Sequence, residues 1–134
     1  MAILKLSTLA ANAAIGAVAS QQNTGTLRIY SGAMPATADT AASGTLLVTY
    51  SFAATAYGAA AAGVITLAGV PITGTINAAG TAGYAAVTSS DGVPKMYLDV
   101  GLTGSGADCI LSTLTIPASG NVTLNGLTHT LSPS

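Results

Sequence analysis

Apolar and polar positions alternate in short runs along most of this chain, which is the two-residue period of strands with one buried face. Thr26-Leu27-Arg28-Ile29-Tyr30 alternates cleanly. Residues 44–52 (GTLLVTYSF) are β-branched and aromatic, side chains that suit a pleated surface. Residues 63–67 predict a short strand, and 71–76 another that carries Gly74. Residues 83–89 (GYAAVTS) and 93–100 (VPKMYLDV) flank Ser90-Asp91-Gly92, and Asp-Gly between two such runs predicts a hairpin. Pro94 then belongs at the start or edge of its strand, because it has no N–H to donate. Strands are also expected over 109–116, 121–124 and 127–131, with Asn125-Gly126 as a second hairpin signal between the last two.

One segment breaks the alternation. Residues 10–22 are rich in Ala, lack Pro and β-branched runs, and contain only Gly16 as a helix breaker, so they predict a helix. Ser7 or Thr8 can cap its start and Gly25 can follow its end. Residues 3–9 alternate and fit either a short strand or the lead-in to that helix. Residues 32–43 (GAMPATADTAAS) read as a loop, and 53–62 as an ordered loop or a helical turn. No repeat of the length used by solenoids or propellers recurs. About eight or nine short strands separated by turn residues are the pattern of a sandwich or barrel. The expected fold is mainly β: a single antiparallel β-sandwich, jelly-roll-like, with a short N-terminal helix. It forms one domain over 1–134, with an N-terminal arm and helix over 1–24.

Charge changes the picture. Only Lys5, Arg28, Lys95, Asp39, Asp91, Asp99 and Asp108 are charged among 134 residues, for a net charge of −1. Soluble domains devote about a quarter of their residues to charge. So few charges leave much of a domain surface unsolvated, and other protein chains are expected to cover it. Lys5, Arg28 and Lys95 make no basic stripe, and nothing draws the chain to nucleic acid or to an anionic membrane. A spanning helix needs about 20 mostly apolar residues, and Gly, Thr, Ser and Asn interrupt every apolar window here. Residues 1–20 resemble a signal peptide, with Lys5, an apolar stretch and Ala17-Val18-Ala19 before Ser20. Ser7, Thr8 and Asn12 dilute that stretch, and the expectation is against secretion. Cys109 is the single cysteine, so neither an internal disulfide nor a cysteine metal cluster is expected, and it reads as a small buried hydrophobe.

Candidate chemistry is sparse. His129, the single histidine, sits in Leu127-Thr128-His129-Thr130-Leu131, where alternation places it on the face of Leu127 and Leu131. It reads as a partly buried histidine or a contact to a neighbouring chain, since no nucleophile elbow or HExxH motif accompanies it. Asp39, Asp91, Asp99 and Asp108 all fall at turns or strand ends, where Asp bonds nearby backbone N–H groups. Asp99 and Asp108 bracket a Gly-rich segment and offer oxygen to a hard cation such as Ca²⁺, but their spacing matches no EF-hand. Residues 100–107 (VGLTGSGA) lack the Lys-Ser/Thr of a phosphate-binding loop and read as a tight connection with positive φ at Gly101, Gly104 and Gly106. Tyr30, Tyr50, Tyr57, Tyr84 and Tyr97 are expected to straddle core and surface or to anchor interfaces. The chain is therefore expected not to be an enzyme: no residue is assigned a catalytic, cofactor-binding or metal-ligating role.

Two stretches taken together carry a resemblance. One is Thr26-Leu27-Arg28-Ile29-Tyr30-Ser31-Gly32 with Met34-Pro35-Ala36-Thr37-Ala38-Asp39-Thr40-Ala41 and Gly44-Thr45-Leu46-Leu47. The other is Asp99-Val100-Gly101 with Thr103-Gly104-Ser105-Gly106-Ala107-Asp108, closing on Val122-Thr123. With the Ala/Asn helix, they resemble a group of small tailed-bacteriophage and prophage proteins, some of which look like virion structural proteins. The chain departs from that pattern at Ala85-Ala86-Val87, where an Arg is common, and at Cys109. The resemblance implies a capsid decoration (cement) protein, made in the host cytoplasm and placed on the outer surface of the head. Its implied partners are the major capsid protein and other copies of itself, as a homodimer or homotrimer. A tail or fibre-associated structural or receptor-binding protein is the alternative.

Overall fold

The computed structural model describes residues 5–37, 39–91 and 94–130, without the side chains of Pro94 and Lys95. The first element is helix α1, Thr8–Gln22. Ser7 caps it by accepting a hydrogen bond from the Ala10 N–H at 3.1 Å, satisfying one of the donors that a helix start leaves open. Residues 5–7 lead into the helix and form no strand, which decides between the two readings of 3–9 for the part described. Ala11, Ile15 and Gln22 are its buried residues, spaced four and seven apart and therefore on one face. Asn12 accepts the Gly63 N–H at 2.8 Å, tying the helix to the residue just before strand Val64–Thr66. At the far end the Gly25 N–H bonds the Gln22 carbonyl at 2.9 Å and turns the chain into the first strand.

The first sheet is antiparallel throughout. β1, Thr26–Tyr30, lies at its centre between β2, Leu46–Ser51, and β7, Tyr84–Thr88. β5, Thr75–Ile76, extends it beyond β2, and β8, Pro94–Leu98, extends it beyond β7. Leu27 sits across from Tyr50 and Val87, and Ile29 across from Val48 and Ala85; all six are buried on the inner face. The register shifts once between β1 and β2, which leaves Leu47 as an extra residue. Its carbonyl accepts from Asn77 N at 2.7 Å and from Ala78 N at 3.2 Å. β7 and β8 pair as the Asp-Gly signal implied, while Gly92 and Val93 of that turn lie outside the described residues.

The second sheet is built on β12, Thr123–Thr130, which pairs with β3, Val64–Thr66, β4, Ile72–Thr73, and β10, Cys109–Leu111. β9, Val100–Gly101, pairs with β10 in parallel, so this second sheet is not antiparallel throughout. Two short segments pass from one sheet to the other. β4 joins β12 and β5 joins β2, with Gly74 between them. A Cβ on Gly74 would lie 2.7 Å from Tyr50 Cε1 and from Val48 Cγ1, so only glycine lets the crossing run this close to β2. Likewise β8 belongs to the first sheet and β9 to the second, with Asp99 at the corner. Leu27, Ile29, Val48, Tyr50 and Val87 of one sheet and Ile65, Leu111, Leu124 and Leu127 of the other join Ile15 of α1 in one hydrophobic cluster.

Three expectations are corrected. Residues 109–116 do not form one strand. Thr113 Oγ1 accepts the Thr115 N–H at 3.2 Å and turns the chain, so that β11, Thr115–Ile116, pairs instead with β6, Gly80–Thr81, in a separate ribbon. Asn125-Gly126 is not a hairpin. Gly126 pairs with Ile110 and Leu124 with Leu111, which makes Asn125 the extra residue of a β-bulge inside a continuous strand. A two-residue hairpin of the Asn-Gly kind needs positive φ at both central residues, and Gly126 does not have it. In the 100–107 connection Gly104 and Gly106 have positive φ, but Gly101 belongs to β9.

Two glycine substitutions check this arrangement. A Cβ on Gly25 would lie 2.1 Å from the Thr88 backbone oxygen, and Gly25→Ala is expected to cost roughly 1–3 kcal/mol through forced backbone displacement. On Gly126 the nearest atom is Ile110 Cβ at 3.8 Å, and Gly126→Ala is expected to stay within about 0.5 kcal/mol of the parent. Urea unfolding midpoints measure both; a large loss at Gly126 would restore the hairpin reading.

Candidate functional site

The most elaborate polar arrangement lies where α1, β12 and the β2–β3 connection converge. Gln22 is the last residue of α1 and is fully buried. His129 shares the buried face of β12 with Leu127, as alternation implied, and is 4% exposed. Tyr57 is held in the connection by an isolated bridge to Leu67. Its hydroxyl donates to Gln22 Oε1 and lies 2.8 Å from His129 Nε2. The Gln22 amide nitrogen reaches Met96 Sδ at 3.8 Å, so β8 is drawn in as well.

With the Tyr57 hydroxyl hydrogen given to Gln22 Oε1, the His129 tautomer that carries its proton on Nε2 can donate to the tyrosine oxygen. Nδ1 then carries a lone pair and, although buried, has no hydrogen-bond partner. Burial lowers the His129 pKa to about 4, and the Thr128 backbone offsets only part of that. Burial, and secondarily Cys109, raises Tyr57 above its ordinary range. At neutral pH all three groups are uncharged. A general base works best with a pKa near the operating pH, which this imidazole does not have. Cys109 is no better a nucleophile: burial first, then Asp99 and Asp108, pushes its thiol up to about 12. The arrangement ties the end of the helix to both sheets.

Beside this cluster a cleft of about 230 Å³ opens between the C-terminal half of α1 and residues 55–60. Its walls are small. Gly16, Ala19, Ser20 and Asn23 line it from the helix and its end, and Thr55, Tyr57, Gly58, Ala59 and Ala60 from the connection. No charged side chain lines it.

The remaining candidates are distributed elsewhere. Tyr30 and Tyr84 stack at 5.4 Å, and Tyr97 meets Tyr84 edge-on at 5.6 Å. Tyr84 donates to the Ser43 carbonyl at 2.5 Å and accepts the Ser43 N–H at 2.9 Å, while Tyr97 donates to the Thr40 carbonyl at 2.6 Å. These tyrosines clamp the loop read at 32–43 onto the sheet. Tyr50 donates to the Val122 carbonyl at 2.8 Å inside the core. Asp99 accepts the Asp108 N–H at 3.1 Å and closes the Gly-rich loop; burial, and then Asp99, raises the Asp108 pKa. Asp91 accepts from Ser89 Oγ, and Asp39 lies in a turn. Among the described residues no group of three His, Cys, Asp or Glu is placed to hold a metal ion. No described helix is long and apolar enough to cross a membrane.

The roles of Gln22 and Tyr57 were not readable beforehand. Their partners lie 35 and 107 residues away along the chain for Gln22, and 72 for the Tyr57–His129 pair. No known family model, curated protein or solved structure matches this chain.

Two measurements test the cluster. Tyr57→Phe removes the hydroxyl that bridges Gln22 Oε1 and His129 Nε2, leaving those two only their own 3.3 Å contact, and is expected to cost about 1 kcal/mol in urea unfolding. The His129 pKa is depressed from 6.5 to about 4 on folding, so the unfolded chain binds the proton more tightly. Stability due to His129 is full above 6.5 and is lost as pH falls from there towards 4. His129→Gln should flatten that limb in the difference between the two proteins' pH profiles. An unchanged slope would mean that His129 is not desolvated.

Proposed function

We propose that the chain is a structural subunit of a protein assembly, and specifically a decoration protein on the outer surface of a tailed-phage head. It would bind the major capsid protein and further copies of itself through a jelly-roll-like sandwich, by non-covalent contacts and without catalysis. The observation that carries this reading is the surface. Seven charges serve 134 residues, while Leu9, Met34 and Leu102 stand exposed beside Ala, Thr, Ser and Gly. Such a surface is stabilised by being covered, at about 25 cal/mol per Å² of apolar area before the costs of association. The choice of a phage head rests on the resemblance of residues 25–47 and 99–108 to small virion proteins. The neutral, buried state of Gln22, Tyr57 and His129 at neutral pH supports a structural role for the chain's most polar interior site.

Protein counting by mass spectrometry on purified virions tests the assignment. Hundreds of copies per particle, with heads lacking the protein more fragile to heat or osmotic shock and restored by adding it back, are expected. A handful of copies confined to the tail, with heads equally robust without it, would overturn the head reading in favour of a tail component.

A further inference from the structure

We propose that the outward face of the first sheet is a two-fold interface with a second copy of this chain, in which Arg28 of each copy pairs with Asp39 of the other. The inference rests on the self-association part of the reading above and on nothing about a shell. Leu27 and Ile29 point into the core, so Thr26, Arg28 and Tyr30 point outward from the centre of the sheet. Arg28 is the only arginine in the chain and is half-buried. Asp39 is exposed on the 32–43 loop, which Tyr84 and Tyr97 hold against the same face through Ser43 and Thr40. Among the described residues neither Arg28 nor Asp39 has a hydrogen-bonding or ionic partner for its side chain. A guanidinium offers only donors, and the fold engages none of these. A carboxylate from outside supplies the forked acceptor that it lacks.

The two charges are kept apart within one copy. Arg28 sits opposite Ala86, and Ala86 opposite Tyr97, so Arg28 and Tyr97 share a row two strands apart, about 9–10 Å. Tyr97 then reaches the Thr40 carbonyl, next to Asp39. One face thus carries a cation and an anion on either side of Tyr97. A two-fold axis in the plane of contact, passing near Tyr97, sets each Arg28 against the other copy's Asp39. An isologous contact requires this kind of self-complementarity.

The surrounding patch has the composition of an interface. Aromatic residues, Met and Arg are enriched at such contacts, and Tyr and Arg are frequent anchors. Here Arg28 lies with Tyr30, Tyr97 and the exposed Met34 of the loop. Thr49 sits opposite Arg28 and Thr75 opposite Thr49, so uncharged polar side chains adjoin the arginine. A standard interface draws about 20–30 residues from each partner, and the outward positions of this sheet with the clamped loop form a patch of that size. The tyrosine hydroxyls already tie the loop down, so Asp39 is presented without the cost of ordering a free segment.

Charge exchange tests the pairing. Arg28→Glu and Asp39→Arg should each move the sedimentation mass of the chain from dimer to monomer while leaving the circular dichroism unchanged, because each sets like charges against one another across the axis. An equimolar mixture of the two variants should regain the dimer mass, since every altered charge then meets its opposite in the other chain. The double variant, which carries both exchanges, should dimerise on its own. The milder Arg28→Gln should also shift the chain toward monomer, and it replaces Arg28→Glu if that variant does not fold. Loss of the dimer in the single variants with no recovery in the mixture or the double variant overturns the pairing. A multimer whose mass neither single exchange alters also overturns it, while leaving self-association through another surface standing. A parent chain that stays monomeric at every concentration overturns both.

Discussion

The hydrogen-bonded cluster of Gln22, Tyr57 and His129 is the interaction on which the placement of the helix depends. α1 offers the core few large side chains: Ile15 is buried, Ala11 adds little area, and Val18 is only partly covered. Burial of that size does not fix a helix strongly. The terminal Gln22 adds a directional link by reaching Tyr57, His129 and Met96 at once. Buried polar groups of this kind are costly when unpaired and specific when paired. His129 Nδ1 is the one place where the pairing is incomplete. Keeping the imidazole neutral limits the cost of that gap, because an uncharged ring nitrogen is far cheaper to bury than a cation.

A second constraint shapes the sheets. The chain passes between them at Gly74 and at Asp99, and both passages are short. Short passages leave little freedom for the two sheets to move apart, so the inner faces pack as one cluster. On the other face of the first sheet, Tyr30, Tyr84 and Tyr97 cover part of the surface by holding the 32–43 loop in place. Sheets, loop and helix thus form one body in which the outward face of the first sheet holds a defined position. That fixed face is what links the fold to the proposal of assembly.

The sequence was most legible where local pattern and tertiary role agree. Thr26–Tyr30, Leu46–Ser51 and Tyr84–Thr88 alternate or are β-branched, and they form the centre of the first sheet. Ser7 followed by an Ala-rich run marked the helix, and the buried face of His129 followed from its spacing to Leu127. Legibility failed where the deciding partner is distant in sequence. Asn125-Gly126 has the composition of a tight turn, but pairing with Ile110 and Leu111 makes it a bulge instead. Residues 109–116 look continuous, yet Thr113 breaks them and Thr115–Ile116 joins Gly80–Thr81. A glutamine at the end of an alanine-rich helix gives no sign of burial, because its environment is supplied by positions 57 and 129. The cleft was equally hidden, since it arises from small residues on two segments that meet only in the fold.

Native-state hydrogen exchange on the α1 amides, compared with those of β1 and β7, tests most directly whether the helix belongs to the same rigid body as the sheets. Elements of one cooperative unit open together at the global unfolding free energy, whereas loosely held elements open far below it. Amides in the C-terminal half of α1 should exchange with the same free energy as Leu27, Ile29 and Val87, and in Tyr57→Phe protein they should fall below the strands. If the helix of the unmodified protein exchanges well below β1 and β7, the buried cluster does not hold it, and helix and sheets are not one body.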